Sequence, residues 1–96
     1  LRDLLRVRIA DVRIVPAGPG ERSTGLIAYV GLRVGELFVD GLRVVRTRDG
    51  QVRVLFPTRV DRRRTRHHVV RPARDDVRQA IEDRILAEVR REGLIP

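Results

Sequence analysis

Read as apolar and polar positions alone, the chain changes period once, from a strand-like first part to a helical last part. Val7 to Val15 (VRIADVRIV) sets β-branched residues against charged ones at near-alternation and stops at Pro16. The alternation slips at Ala10-Asp11, which predicts a bulge or a change of face. Pro16 to Gly25 (PAGPGERSTG) supplies turns and no core, so a mobile hairpin loop is expected there. Leu26 to Leu32 reads as a strand with Leu26, Ala28, Val30 and Leu32 on one face and Ile27 and Tyr29 on the other. After a turn at Arg33 to Glu36 comes a longer strand, Leu37 to Arg46, in which Gly41 predicts a bend or bulge. Asp49-Gly50 signals a two-residue hairpin, and Gln51 to Phe56 forms the return strand, ended by Pro57.

Thr58 to Arg66 is polar and basic without periodicity and reads as a loop; His67 to Val70 is a short β-like run. Beyond Pro72 the period becomes helical. Val77, Ala80, Ile81, Ile85 and Val89 recur at three- and four-residue spacing, the stripe of an amphipathic helix over 75–91. Asp75 or Asp76 is placed to cap its start, Asp76 and Gln79 have capping-box spacing, and Gly93 is placed to end it. About five strands followed by one helix predict an α+β fold: a mainly antiparallel sheet with a C-terminal amphipathic helix, as a single domain over residues 1–96.

Composition narrows what such a domain does. The 96 residues carry 21 basic side chains, all arginine, against 13 acidic ones, a net charge of +8. A field of that sign attracts polyanions and speeds their encounter, so nucleic acid is the expected partner. A domain this small buries a limited core, and pairing with a second copy would relieve that limit. Cysteine is absent, which excludes disulfides and thiolate chemistry. No apolar run approaches the ~20 residues of a membrane span. Leu1 to Arg8 lacks the layout of a signal peptide, so a cytoplasmic location is expected by default.

The densest basic feature is Arg59, Arg62, Arg63, Arg64 and Arg66, in the segment read as a loop. Guanidinium groups fork two donors onto phosphate oxygens or a guanine edge and stack on bases. The competing reading is a solvated face with Asp61 as a local partner. His67-His68 suggests a metal site, but neighbours on a strand point to opposite faces and no second ligand set completes it. One histidine is expected to pack inward and the other to add to the basic surface. Asp11, Asp40, Asp49 and Asp61 are expected to bind turn amides or nearby arginines rather than do acid–base chemistry. With no nucleophile elbow and no phosphate-cradling glycine loop, neither an enzyme nor a cofactor or small-molecule substrate is expected. On the helix, Arg74, Arg78, Arg84, Arg90 and Arg91 alternate with acidic residues, and Arg84 is spaced to pair with Glu88.

Four stretches together resemble the stage V sporulation protein G family (SpoVG), whose members are also labelled septation proteins. They are Ile9-Ala10-Asp11-Val12-Arg13-Ile14; Leu37-Phe38-Val39 continuing to Leu42-Arg43-Val44-Val45; Leu55-Phe56-Pro57-Thr58-Arg59; and Ile81-Glu82-Asp83-Arg84-Ile85-Leu86-Ala87-Glu88. The resemblance runs from Val7 to about Arg91. It implies a five-stranded sheet with a C-terminal helix, homodimerisation through sheet edges, and a regulator that binds DNA and also RNA and acts on sporulation, septum formation and virulence-type gene expression. Pro57-Thr58-Arg59 is similar to the family's Pro-Ser-Lys step, and Arg78 matches the arginine of its Thr-Arg-Gly-Lys stretch. The chain departs from the family at Asp75-Asp76, where the family has Ser-Ser, and at Gln79-Ala80, where it has Gly-Lys. Carboxylates at a helix start suit the helix dipole and repel phosphate. The expected nucleic-acid site is therefore Arg59, Arg62, Arg63, Arg64 and Arg66, with Arg74 and Arg78 flanking it. The alternative function is a protein–protein adaptor in septum formation that binds no nucleic acid.

Overall fold

In the computed structural model, residues 8–96 are described, and the expected strand start at Val7 lies outside them. Strands β1 (Ile9–Pro16), β2 (Leu26–Val34), β3 (Leu37–Arg46) and β4 (Val52–Leu55) form an antiparallel sheet in the order β1-β2-β3-β4. A second, two-stranded sheet pairs β5 (Thr58–Val60) with β6 (Arg66–His68). A one-turn helix α1 (Pro19–Arg22) lies between β1 and β2, and α2 (Asp75–Arg91) closes the chain. The fold is α+β, and its strands divide four and two rather than joining one sheet of five.

Alternation puts Ala28, Val30, Leu32, Leu42, Val44 and Val54 on one face of the main sheet, and Ile81, Ile85 and Val89 of α2 cover it. Leu32, Leu42, Ile85, Val44, Val54 and Val89 are fully buried. Two bulges fall where the sequence breaks its rhythm. The β1–β2 register shifts between Ala10 and Arg13, with Asp11 at φ +52, and the β2–β3 register shifts opposite Gly41, at φ +82. A third shift, between Leu26 and Ala28, makes Ile27 the extra residue. Ile27 is therefore buried rather than facing outward with Tyr29.

The Pro16–Gly25 segment is more ordered than a loop of turn residues requires. Pro19 starts the short helix, and the Glu21 side chain reaches back to accept the Gly18 N–H at 3.1 Å. The β3–β4 loop also differs from the two-residue expectation. Thr47 N–H donates to the Gln51 carbonyl and Gly50 N–H to the Thr47 carbonyl, enclosing three residues with Gly50 at φ +86. Asp49 accepts from the Thr47 hydroxyl and the Gln51 amide.

Helix α2 has the bounds its spacing predicts, but neither aspartate is its cap. Arg74 holds the N-cap position without a side-chain cap, Asp76 turns back to the Val77 amide, and Gln79 bonds Asp83 instead of completing a capping box. At the other end Gly93 N–H donates to Arg90 and Leu94 N–H to Val89, a Schellman motif that returns Ile95 to the core. Two helix side chains bind the sheet margins. Glu82, only 6% exposed, accepts the Val54 N–H at 2.9 Å on edge strand β4. Arg84 donates to the Ile9 carbonyl at 3.0 Å on edge strand β1, and Glu88 pairs with Arg91 rather than with Arg84. No helix among the described residues is long and apolar enough to cross a membrane.

Candidate nucleic-acid interface

The segment from Thr58 to Arg66, expected to be an irregular loop, is most of a β-hairpin. Thr58 pairs with His68, Arg59 with His67 and Val60 with Arg66, and Val69 N–H adds a bond to the Pro57 carbonyl at its root. The hairpin makes no substantial contact with the main sheet or with α2. It encodes no apolar stripe because, among the described residues, neither of its faces is buried against another element, and for that reason its strands carry no visible period.

Its turn is built by Asp61. Asp61 N–H donates to the Thr65 carbonyl, and Arg64 N–H donates to the Asp61 carbonyl. Asp61 Oδ1 then accepts the amides of Arg63 at 2.8 Å and Thr65 at 2.9 Å, while Oδ2 meets His67 Nε2 at 2.7 Å. The hydrogen bond from His67 and those from the two amides hold the Asp61 carboxyl below its ordinary range. The carboxylate is thus occupied with amides and an imidazole, not with the guanidinium groups beside it. Among the described residues, Arg59, Arg62, Arg63 and Arg64 make no side-chain hydrogen bond or ion pair, and all four are exposed. Arg64 sits at φ +64, a left-handed conformation that costs a side-chain-bearing residue free energy.

The other expected site residues are placed differently. Arg66 Nη1 donates to the Thr58 hydroxyl at 2.8 Å, bracing one hairpin face. Arg59 and His67 are cross-strand partners and share the opposite face. Both histidines are exposed, so neither packs inward as expected. Arg74 is paired with Asp76, and Arg78 lies 3.7 Å from Glu82 with about a third of its side chain exposed. The helix start is thus largely occupied by its own carboxylates, and the tip is where basic groups stand without them.

Sequence reasoning overlooked a cleft of about 270 Å³ at the foot of the hairpin, lined by Phe56, His68, Arg71, Pro72, Asp75 and Arg78 among others. Arg71 and His68 extend the basic surface from the hairpin toward the helix. The bends at Val69-Val70 and Ala73-Arg74, on either side of Arg71-Pro72, carry the chain from the hairpin to the helix, and no spacing signal foretells them. Compared with known proteins, the chain matches no family model and no curated protein.

Proposed function

We propose that this protein is a cytoplasmic nucleic-acid-binding regulator that engages phosphates through the tip of its β5–β6 hairpin. The observation that carries the reading is the tip itself. Asp61 fixes a turn from which Arg62, Arg63 and Arg64 project, with no carboxylate answering them among the described residues. The hydrogen bonds of Asp61 set the path of the backbone that carries these guanidinium groups, and each presents forked donors to phosphate. The resemblance to the stage V sporulation protein G family supports a regulator of DNA or RNA in septum formation or sporulation-type programmes.

A homodimer paired through strand edges fits this reading. An isolated two-stranded sheet is marginally stable, and β5–β6 has no third strand among the described residues. On the main sheet α2 already engages the Val54 amide of one edge strand and the Ile9 carbonyl of the other, which favours the hairpin for edge pairing. Two copies joined there would bring two basic tips into one assembly.

The test is a duplex DNA titration at several salt concentrations. Log affinity should fall against log salt with a slope of about −0.9 per phosphate neutralised. Replacing Arg62, Arg63 and Arg64 together with Ala should flatten that slope by about two to three; an unchanged slope overturns the tip assignment. Exposed Val60, Val69 and Val70 on and beside the same hairpin favour a second reading, a protein–protein adaptor at the division septum. Partner capture that survives nuclease, with no shift of any nucleic acid, would establish it instead.

A further inference from the structure

Among the described residues, the face of the main sheet away from α2 is touched only at its margin, where Glu21 of α1 accepts from Tyr29, and its composition is unlike a solvated face. A row crosses all four strands through the paired residues Val15, Tyr29, Arg43 and Leu55. Val15, Tyr29 and Leu55 are exposed there, as is Phe38, which pairs with Arg33 on the same face. Arg13 lies over the Phe38 ring, 4.8 Å from its centroid. Between the row and this stack is a shallow hollow of about 200 Å³, bordered by Arg13, Val15, Tyr29, Gly31, Asp40 and Gly41. Gly31 supplies no side chain to fill it, and any Cβ there would collide with Asp40 Oδ1. Three of the chain's features thus coincide: two of its three aromatic rings, a cluster of arginines, and a hollow between them.

We infer that this open sheet face is a stacking platform for single-stranded nucleic acid, separate from the hairpin tip. An aromatic ring has a flat π-face that takes any base, and flanking guanidinium groups take the phosphates, which is the chemistry of single-strand grooves. Charge decides the occupant. A second copy laid on this face would bring Arg13 and Arg43, which have no carboxylate partner among the described residues, near their own counterparts, whereas a polyanion would satisfy them. Two of the nearby carboxylates are already engaged: Asp11 pairs with Arg33 at 3.3 Å, and Glu21 accepts from the Tyr29 hydroxyl and the Gly18 amide. Asp40 at the hollow is an acceptor for an exocyclic amine, so a base such as cytosine that carries one suits the seat. The inference rests on the proposal that the chain binds nucleic acid but uses residues the tip does not.

Tyr29 is the chain's one tyrosine and there is no tryptophan, so its fluorescence reports this face directly. Titrating oligodeoxycytidylate into the intact protein should quench Tyr29 and saturate. Phe38→Ala should weaken that binding about tenfold and leave duplex binding unchanged. The Arg62→Ala/Arg63→Ala/Arg64→Ala variant should do the reverse, keeping the Tyr29 quench while losing duplex affinity. Phe38 is half-exposed, and Arg13→Gln, on an exposed side chain, gives the same reading if the first variant folds poorly. Absent quenching, or quenching that both face variants leave intact, overturns the platform. Sedimentation that becomes monomeric on Phe38→Ala, without any response to the oligonucleotide, overturns it in favour of a second copy. A flat duplex response with a normal Tyr29 quench would remove the tip reading alone.

Discussion

Arg64 occupies in the β5–β6 turn the position that Gly50 occupies in the β3–β4 turn. Both turns enclose three residues by the same pair of backbone hydrogen bonds, and both place the third residue in the left-handed region, at φ +64 and φ +86. Glycine takes that conformation freely; arginine does so at a cost of about 1–2 kcal/mol. Arg64→Gly is expected to stabilise the tip by about 1 kcal/mol, seen as roughly fivefold slower amide exchange at Asp61 and Arg64. The same variant should bind duplex DNA more weakly. A variant that gained order and kept its affinity would mean the strain serves no binding role.

Asp61 makes a sharper test because charge and geometry predict opposite results. Counting charge, Asp61→Ala should raise affinity for a polyanion. Counting hydrogen bonds, it frees the Arg63 and Thr65 amides and releases His67, so the backbone that carries the arginines loses its fixed turn and affinity falls several-fold. We expect the fall, measured by salt-matched titration.

The same carboxylate sets a pH limit on the turn. Its folded-state pKa is depressed, first by the His67 contact and then by the Thr65 and Arg63 amides, with burial opposing. A depressed pKa stabilises the ordered turn above the unfolded value of about 3.9, and that contribution is lost as pH falls through the lower folded value. The amide proton shifts of Arg63 and Thr65 should titrate together, with a midpoint below about 3.9. They should not titrate in Asp61→Asn.

Tyr29 and Glu21 give a second titration with the opposite sign. The Tyr29 hydroxyl donates to Glu21 Oε2 at 2.6 Å, which raises the phenol above its ordinary value and lowers Glu21. The raised tyrosine contributes stability below about pH 10, lost as pH climbs through the folded value. The lowered glutamate contributes above its ordinary range, and that contribution is lost on acidification. Phenolate absorbance of this single tyrosine should therefore show a midpoint above 10, returning toward 10 in Glu21→Gln.

Glu82 joins helix, edge strand and two arginines in one contact set. Beyond the Val54 amide it lies 3.5 Å from Arg53 and 3.7 Å from Arg78. Glu82→Ala leaves the Val54 N–H without its acceptor and should cost about 2–3 kcal/mol in urea unfolding. Glu82→Gln, which retains an acceptor, should cost less. Equal losses would mean that ion pairing rather than the amide bond dominates.

How far the chain could be read in advance followed from what each segment packs against. Helix α2 and strand β3 have the bounds their patterns predict, because each faces a core and its apolar residues repeat accordingly. The Ala10-Asp11 slip and Gly41 both appeared as bulges for the same reason. The β5–β6 hairpin had no face to bury, and its left-handed residue is an arginine where a glycine would have signalled a turn. Arg62, Arg63 and Arg64 were legible as a cluster, but the role of Asp61 as the turn's organiser was not. Arg74 and Arg78 were legible as basic residues; their engagement by Asp76 and Glu82 depends on geometry that charge alone does not give.

Glu82 and Arg84 stand two places apart on α2, on opposite flanks of the helix, and each takes hold of a different outer strand. An uncovered strand margin is a template onto which another chain can add, and repeated addition produces fibrils. By placing a carboxylate on one margin and a guanidinium on the other, the helix takes up a backbone group on each outer strand that an added strand would need. A chain that loses both side chains would leave the Val54 amide and the Ile9 carbonyl open to an approaching strand.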